Sequence, residues 1–82
     1  KTVYIREKEV KLSPREFDLL VYFMKKRGIA LDRNTILQGV WDYSYFGTTR
    51  TVDVHVRQLR KKIKDDGKII QTVSKTGYKF ED

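Results

Sequence analysis

From Arg50 to about Asp65, Val52, Val56, Leu59 and Ile63 recur at i, i+4, i+7 and i+11. That spacing draws one apolar stripe down a helix of about four turns. Helices in water gain most of their stability from packing of such a face. The rest of the 82-residue chain must therefore supply the cover. Two separate cores need about 50 residues each, so the chain reads as one domain, residues 1–82.

The other elements follow from their end signals. Ser13-Pro14-Arg15-Glu16 opens a helix: serine caps, proline suits the first turn and Glu16 completes a capping box. This helix is expected to reach about Arg27, with Phe17, Leu20, Val21 and Met24 as its buried stripe and Gly28 as its stop. Ile29-Ala30-Leu31 is a short apolar stretch, and Asp32 is the N-cap of a second helix through Ile36, Leu37, Val40 and Trp41. Residues Asp42 to Thr49 have no periodicity and read as a loop, longer than the turn of a simple helix-turn-helix. Alternation over Thr2 to Leu12 predicts two short strands, with Val3 and Ile5 on one face and Tyr4 and Arg6 on the other. Ile69 to Val73 and Tyr78 to Phe80 predict a terminal hairpin whose tip, Ser74-Lys75-Thr76-Gly77, contains glycine. The class is α+β: an N-terminal β-hairpin, three helices and a C-terminal β-hairpin.

Composition removes whole classes of function. Cysteine is absent and His55 is the single histidine, so thiolate and multi-histidine metal sites and cysteine nucleophiles are excluded, and no cofactor is expected. Asp53 and His55 are two apart on a helix and point to different faces, so they form no catalytic dyad. Without a paired-carboxylate cleft or phosphate-cradling glycine loop, the chain does not read as an enzyme. No apolar run approaches the roughly 18 residues of a membrane span, and no signal peptide opens the chain. A start at Lys1 rather than Met is the start expected of a cut fragment. Eighteen Lys+Arg against eleven Asp+Glu give net +7. Such an excess suits a nucleic-acid partner and suits a solvated basic surface equally well.

The third helix separates those readings. With the apolar stripe inward, its opposite face carries Arg50, Val54, Arg57, Gln58 and Lys61 at i, i+4, i+7, i+8 and i+11. The strip is about 16 Å long at a rise of about 1.5 Å per residue, and a major groove about 12 Å wide accepts it. Gln58 can bond adenine at two points, Arg50 or Arg57 can bond guanine or phosphate, and Val54 suits a thymine methyl. His55 and Lys62 lie on one flank and Lys64 on the other, with Asp53 and Arg60 nearer the core. A solvated face predicts neither an outward valine nor so few acids. Lys75 on the hairpin tip reads either as a phosphate or minor-groove contact or as a solvated turn lysine. Trp41, Tyr43, Tyr45 and Phe46 read either as a satellite core, the reading favoured for Trp41, or as a protein-docking surface.

Leu12-Ser13-Pro14-Arg15-Glu16-Phe17-Asp18-Leu19-Leu20, Val40-Trp41, Arg50 through Ile63, Gln71-Thr72-Val73 and Gly77-Tyr78 occur in the order of a known family. Over nearly its whole length the chain resembles the C-terminal winged-helix DNA-binding domain of OmpR/PhoB-type bacterial response regulators. The resemblance implies a third helix in the major groove and a hairpin wing near the minor groove. It puts base contacts on Val54 and Gln58, and phosphate contacts on Arg50, His55, Arg57 and Arg60. It puts an RNA polymerase-contacting loop on Asp42 to Thr49, so on Asp42, Tyr43, Tyr45 and Phe46 with Trp41 at its edge. It implies a cytoplasmic, bacterial two-component transcription regulator whose full-length form dimerises on direct-repeat double-stranded DNA. The family's receiver domain and the first strands of its N-terminal sheet are missing from this sequence. Two departures stand out. The family's wing reads Arg-Gly-x-Gly-Tyr, whereas here Ser74-Lys75-Thr76-Gly77-Tyr78 leaves Lys75 as substitute for the arginine. Gln58 replaces an arginine common in the family, a change that shifts preference from guanine toward adenine. Two rivals remain: a winged helix that holds an acidic protein partner, and an RNA-binding module. The latter lacks the aromatic platform of single-strand readers.

Overall fold

In the computed structural model, residues 2–5, 8–41 and 47–81 are described. The first helix, α1 (Pro14–Lys25), begins as its sequence dictates. The Glu16 amide donates to Ser13 Oγ at 3.2 Å, and the Ser13 amide donates to Glu16 Oε1 at 2.9 Å. The helix closes at Lys25, two residues before the expected Arg27. There the Lys26 amide is shared between the carbonyls of Tyr22 and Phe23, and the Gly28 amide is drawn to the Phe80 carbonyl at 2.9 Å. The C-terminal hairpin thus competes for the last turn.

The buried face of α1 is Glu16, Leu19, Leu20 and Phe23, and this corrects the expected stripe. Phe17 and Val21 are half-buried and Met24 is exposed. Both sets have i, i+3, i+4, i+7 spacing, one residue apart, so periodicity alone favours neither. The frame containing Glu16 is the one used because α1 packs against both α2 and α3, and α3 brings a cation to the buried carboxylate.

Asp32 accepts from the Thr35 amide at 2.7 Å and starts α2 (Arg33–Val40). The 14-residue α3 (Arg50–Ile63) buries Val52, Val56, Leu59 and Ile63 as expected. It stops at Lys64, which takes a left-handed conformation with φ 57°. Asp65 then works as more than a breaker. Its carboxylate accepts from the amides of Gly67, Lys68, Ile69 and Ile70 at 2.8–3.1 Å and starts the turn into the last hairpin. Burial alone would raise its pKa, but the four amides hold it below the usual aspartate value.

Two antiparallel sheets flank the helices. The first joins β1 (Thr2–Ile5) to β2 (Lys8–Lys11), with Val3 opposite Val10. The second has the order β3-β5-β4, from β3 (Ala30–Asp32), β4 (Ile70–Val73) and β5 (Gly77–Phe80). The apolar stretch before Asp32 therefore becomes a strand that pairs with the hairpin, Leu31 opposite Tyr78. The tip of that hairpin also differs from expectation. The left-handed residue of the turn is Lys75, φ 62°, while Gly77 already belongs to β5. Gly77 is needed for a different reason: a Cβ there would lie 2.2 Å from the Leu31 carbonyl oxygen, so only glycine lets β3 and β5 approach. Phe23, Leu19, Ile36, Leu59, Ile70, Val52 and Val56 form the innermost core. The rings of Phe23 and Phe80 stack at 6.4 Å to join α1 to the second sheet.

Candidate nucleic-acid interface

Burial of 52, 56, 59 and 63 forces the other side of α3 outward. Arg50, Val54, Arg57, Gln58 and Lys61 are all exposed there, Val54 at 46%. The side chains of Arg50, Arg57, Gln58 and Lys61 make no hydrogen bond or ion pair with other described residues. The face therefore offers two guanidinium groups, an ammonium and an amide to an external partner, around one apolar side chain.

The flanks are more tightly held than the sequence suggests. His55 is half-buried, and its Nδ1 lies 2.8 Å from the Thr51 carbonyl oxygen. A carbonyl only accepts, so Nδ1 carries the proton in this contact. The ring of His55 meets Trp41 edge to face at 5.1 Å. Arg15 sits 5.3 Å over the same indole and donates to the Val40 carbonyl at 2.6 Å. Trp41 is buried and belongs to the core, the reading favoured for it. The remaining loop positions Asp42, Tyr43, Tyr45 and Phe46 lie outside the described residues.

Lys62 turns away from the strip and donates to Glu16 Oε1 at 2.6 Å. Burial raises the pKa of Glu16, but Lys62 and the Ser13 amide more than offset it and hold the group below the usual glutamate value. This pair, which sequence reading missed, ties the start of α1 to α3. The i, i+46 separation gave no local signal for it.

Arg60 also departs from the strip. Its Nε donates to the Ile70 carbonyl at 2.8 Å, and its Nη2 donates to that carbonyl and to Thr72 Oγ1. Its guanidinium sits 5.4 Å over the Tyr78 ring. Three of its five donors thus serve β4, which ties the side chain to the wing whatever its Nη1 meets. Arg60 is half-buried, in keeping with a helical phase nearer the core. Asp53, two turns earlier on the same face, receives Arg33 Nε at 2.8 Å and the Tyr78 hydroxyl. Burial and then the Asp53 carboxylate push the Tyr78 phenol upward, so it stays a neutral donor. Lys75 is exposed at the tip of the hairpin.

No helix among the described residues is long and apolar enough to cross a membrane. Among them there is also no group of three or more His, Cys, Asp or Glu able to hold a metal ion.

Comparison with known proteins agrees with this geometry. The family model described as "Transcriptional regulatory protein, C terminal" matches residues 7–80. The alkaline phosphatase synthesis transcriptional regulatory protein PhoP of Bacillus subtilis is 42% identical over 82 residues, 96% of this chain and 34% of PhoP. The chain thus spans about a third of that relative's length. The crystal structure of the DNA-binding domain of Bacillus subtilis CssR superposes with a TM-score of 0.84 at 38% identity, covering 96% of this chain and 89% of that one. The Klebsiella pneumoniae RstA DNA-binding domain, solved in complex with the RstA box, gives 0.86 at 34% identity over 98% of this chain and 82% of that one. The two solved domains share the three helices and small antiparallel sheets found here, so the fold is a winged helix whose wing is the C-terminal hairpin. By sequence and by fold, the chain belongs to the OmpR/PhoB-type family of transcriptional regulatory protein C-terminal domains, a family of non-enzymatic transcription factor domains.

Proposed function

We propose that this chain binds double-stranded DNA sequence-specifically as the effector domain of a two-component response regulator. The helix α3 enters the major groove and the β4–β5 wing lies near the minor groove. The observation that carries the reading is the outward strip Arg50, Val54, Arg57, Gln58 and Lys61, exposed and unengaged among the described residues on a helix whose other side is fully buried. Arg50, Arg57, Lys61 and Lys75 supply phosphate contacts or guanine bonds. Val54 and Gln58 read bases, and His55 lies at the edge. The similar RstA DNA-binding domain, solved in complex with the RstA box, supports the DNA-binding reading.

Features of a longer regulator belong to the same proposal. They are one effector domain over residues 1–82, a receiver outside it, a homodimer on direct-repeat sites, and polymerase contact through the loop after Trp41. The match to about a third of PhoP supports a longer protein around this domain, and the dimer, the repeats and the polymerase contact rest on the family resemblance. A bacterial cytoplasmic setting is part of the same proposal, and the kinship with a Bacillus subtilis transcriptional regulatory protein supports it.

The test is fluorescence anisotropy across a salt series, with a duplex obtained by in-vitro selection, a random duplex and an RNA hairpin. Neutralising about four phosphates gives a slope of log affinity on log salt near −3.6 on either duplex. Tighter binding to the selected duplex with little RNA binding is expected. Lys61→Ala weakens all duplexes alike and flattens the slope by about 0.9, whereas Gln58→Ala erases the preference between duplexes. Equal, weak binding to all three nucleic acids overturns the reading and points to a protein partner instead.

A further inference from the structure

The face of α3 at positions 53 and 60 serves neither the core stripe nor the outward strip. The two residues are seven apart, about two turns, so they share one side of the helix. Both are committed to the wing. Arg60 holds the Ile70 carbonyl and Thr72 Oγ1 on β4, and Asp53 holds the Tyr78 hydroxyl on β5. Arg33, at the start of α2, closes the set from the other side. Its Nε donates to Asp53, its Nη1 reaches the Thr76 carbonyl at 3.4 Å, and its guanidinium lies 5.4 Å over the Tyr78 ring. Three charged side chains thus converge on both strands of the wing and on its turn.

The turn itself is held in a conformation that its residue does not favour. Lys75 sits at φ 62°, in the left-handed region that a residue with a Cβ rarely adopts. A glycine would adopt it freely, but the position carries a cation. The neighbouring Thr76 is pinned on both sides, its amide donating to the Val73 carbonyl at 3.0 Å and its carbonyl held by Arg33. A tip built this way presents one ammonium group at a fixed offset from the α3 strip.

We infer that Arg60, Asp53 and Arg33 are positioning residues. They lock the wing to the recognition helix, so that Lys75 meets a phosphate at a set distance from the bases under Gln58. Arg60 acts on DNA through the wing and not by touching it. This inference rests on the DNA-binding reading above and extends it.

A double-mutant cycle on the 82-residue chain tests it, read as affinity and salt slope on the selected duplex. Arg60→Lys is the decisive variant. Lysine keeps the charge but has no planar fork to reach two acceptors at once. A phosphate-contacting Arg60 would tolerate it. A brace does not, and Arg60→Lys is then expected to lose affinity several-fold, as Arg60→Met does, with the slope flatter by about 0.9. Lys75→Ala should produce the same loss, and adding it to Arg60→Lys should cost nothing more, because the contact is already gone. Should Arg60→Met fail to fold, Tyr78→Phe removes only the hydroxyl that Asp53 receives, and is expected to give a smaller loss that is likewise non-additive with Lys75→Ala. Wild-type affinity in Arg60→Lys, additive losses in the cycle, or a silent Lys75→Ala would each overturn the inference. Lys61→Ala run in parallel keeps the two ideas apart: if it too leaves affinity and slope unchanged, the DNA reading itself has failed.

Discussion

The two hairpins pair over the same number of residues, yet they are held in very different ways. Across β1–β2, Thr2, Tyr4, Glu9 and Lys11 are exposed, and Val3 and Val10 are half-buried against the core. Across β4–β5, Ile70, Gly77, Tyr78 and Phe80 are buried, a third strand pairs with β5, and Arg33, Asp53 and Arg60 reach in from two helices. A two-stranded hairpin is marginal by itself in water. The backbone ladder is similar in both, so the contrast lies in what each strand places under it. The hairpin with a proposed role in recognition is the one welded to the helices.

The sharpest way to break this contrast is to remove the weld's apolar anchor. Phe80→Ala empties a 5%-exposed site stacked on Phe23. The expected loss is about 3–5 kcal/mol, a large share of the total stability of a small domain. Urea unfolding would measure it. A loss no greater than that of Val3→Ala would show that the two hairpins are equally dispensable.

Asp65 sharpens the same point electrostatically, because its carboxylate organises the entry to β4. Asparagine keeps one acceptor oxygen, so Asp65→Asn leaves some of the four amides unpaired and is expected to cost about 1–3 kcal/mol. The sign of the pH effect follows from the depressed pKa. The folded state binds the proton less readily than the unfolded chain, so stability is fully present above the unfolded value of about 3.9. It drains away as pH falls through the lower folded value. Glu16, also depressed, acts in the same direction. Unfolding curves at neutral pH and at successive values below about 4 should therefore show a steeper acid loss in the wild type than in Asp65→Asn. Parallel pH profiles would remove Asp65 from that role.

The elements legible in the sequence were those announced by short-range chemistry. The box at Ser13 and Glu16, the cap at Asp32 and the Val52–Ile63 stripe each lie within one helix, and each appears in the structure. The outward strip follows from the stripe by geometry alone. Illegible were the features that depend on distant partners. Glu16 looked like a capping residue only, until Lys62 meets it from 46 positions away. Gly77 looked like a turn glycine, and its real constraint is the Leu31 backbone of another strand. Met24 looked buried because two equivalent frames coexist on α1, and only the packing of α3 selects between them. Arg60 is the instructive middle case. Its helical phase pointed inward, while family resemblance pointed to a phosphate, and the hydrogen bonds to β4 follow the phase.

The smallest expected effect lies on the other hairpin. Tyr4 is 73% exposed and sits opposite Glu9 across the β1–β2 pair, at the lip of an apolar groove that also includes Met24 and Ile69. Threonine suits a strand about as well as tyrosine does, so Tyr4→Thr removes the ring while preserving the backbone preference. Because the ring buries little here, the stability change is expected to stay within about 0.5 kcal/mol, and DNA affinity should not move, since β1 lies on neither the strip nor the wing. The matched unfolding and anisotropy measurements have a clear failing outcome. A loss above about 1 kcal/mol would mean that the ring covers the groove in solution more fully than its exposure implies. The N-terminal hairpin would then be anchored by side-chain packing after all, and the contrast with the wing would shrink to the difference that the arginines make.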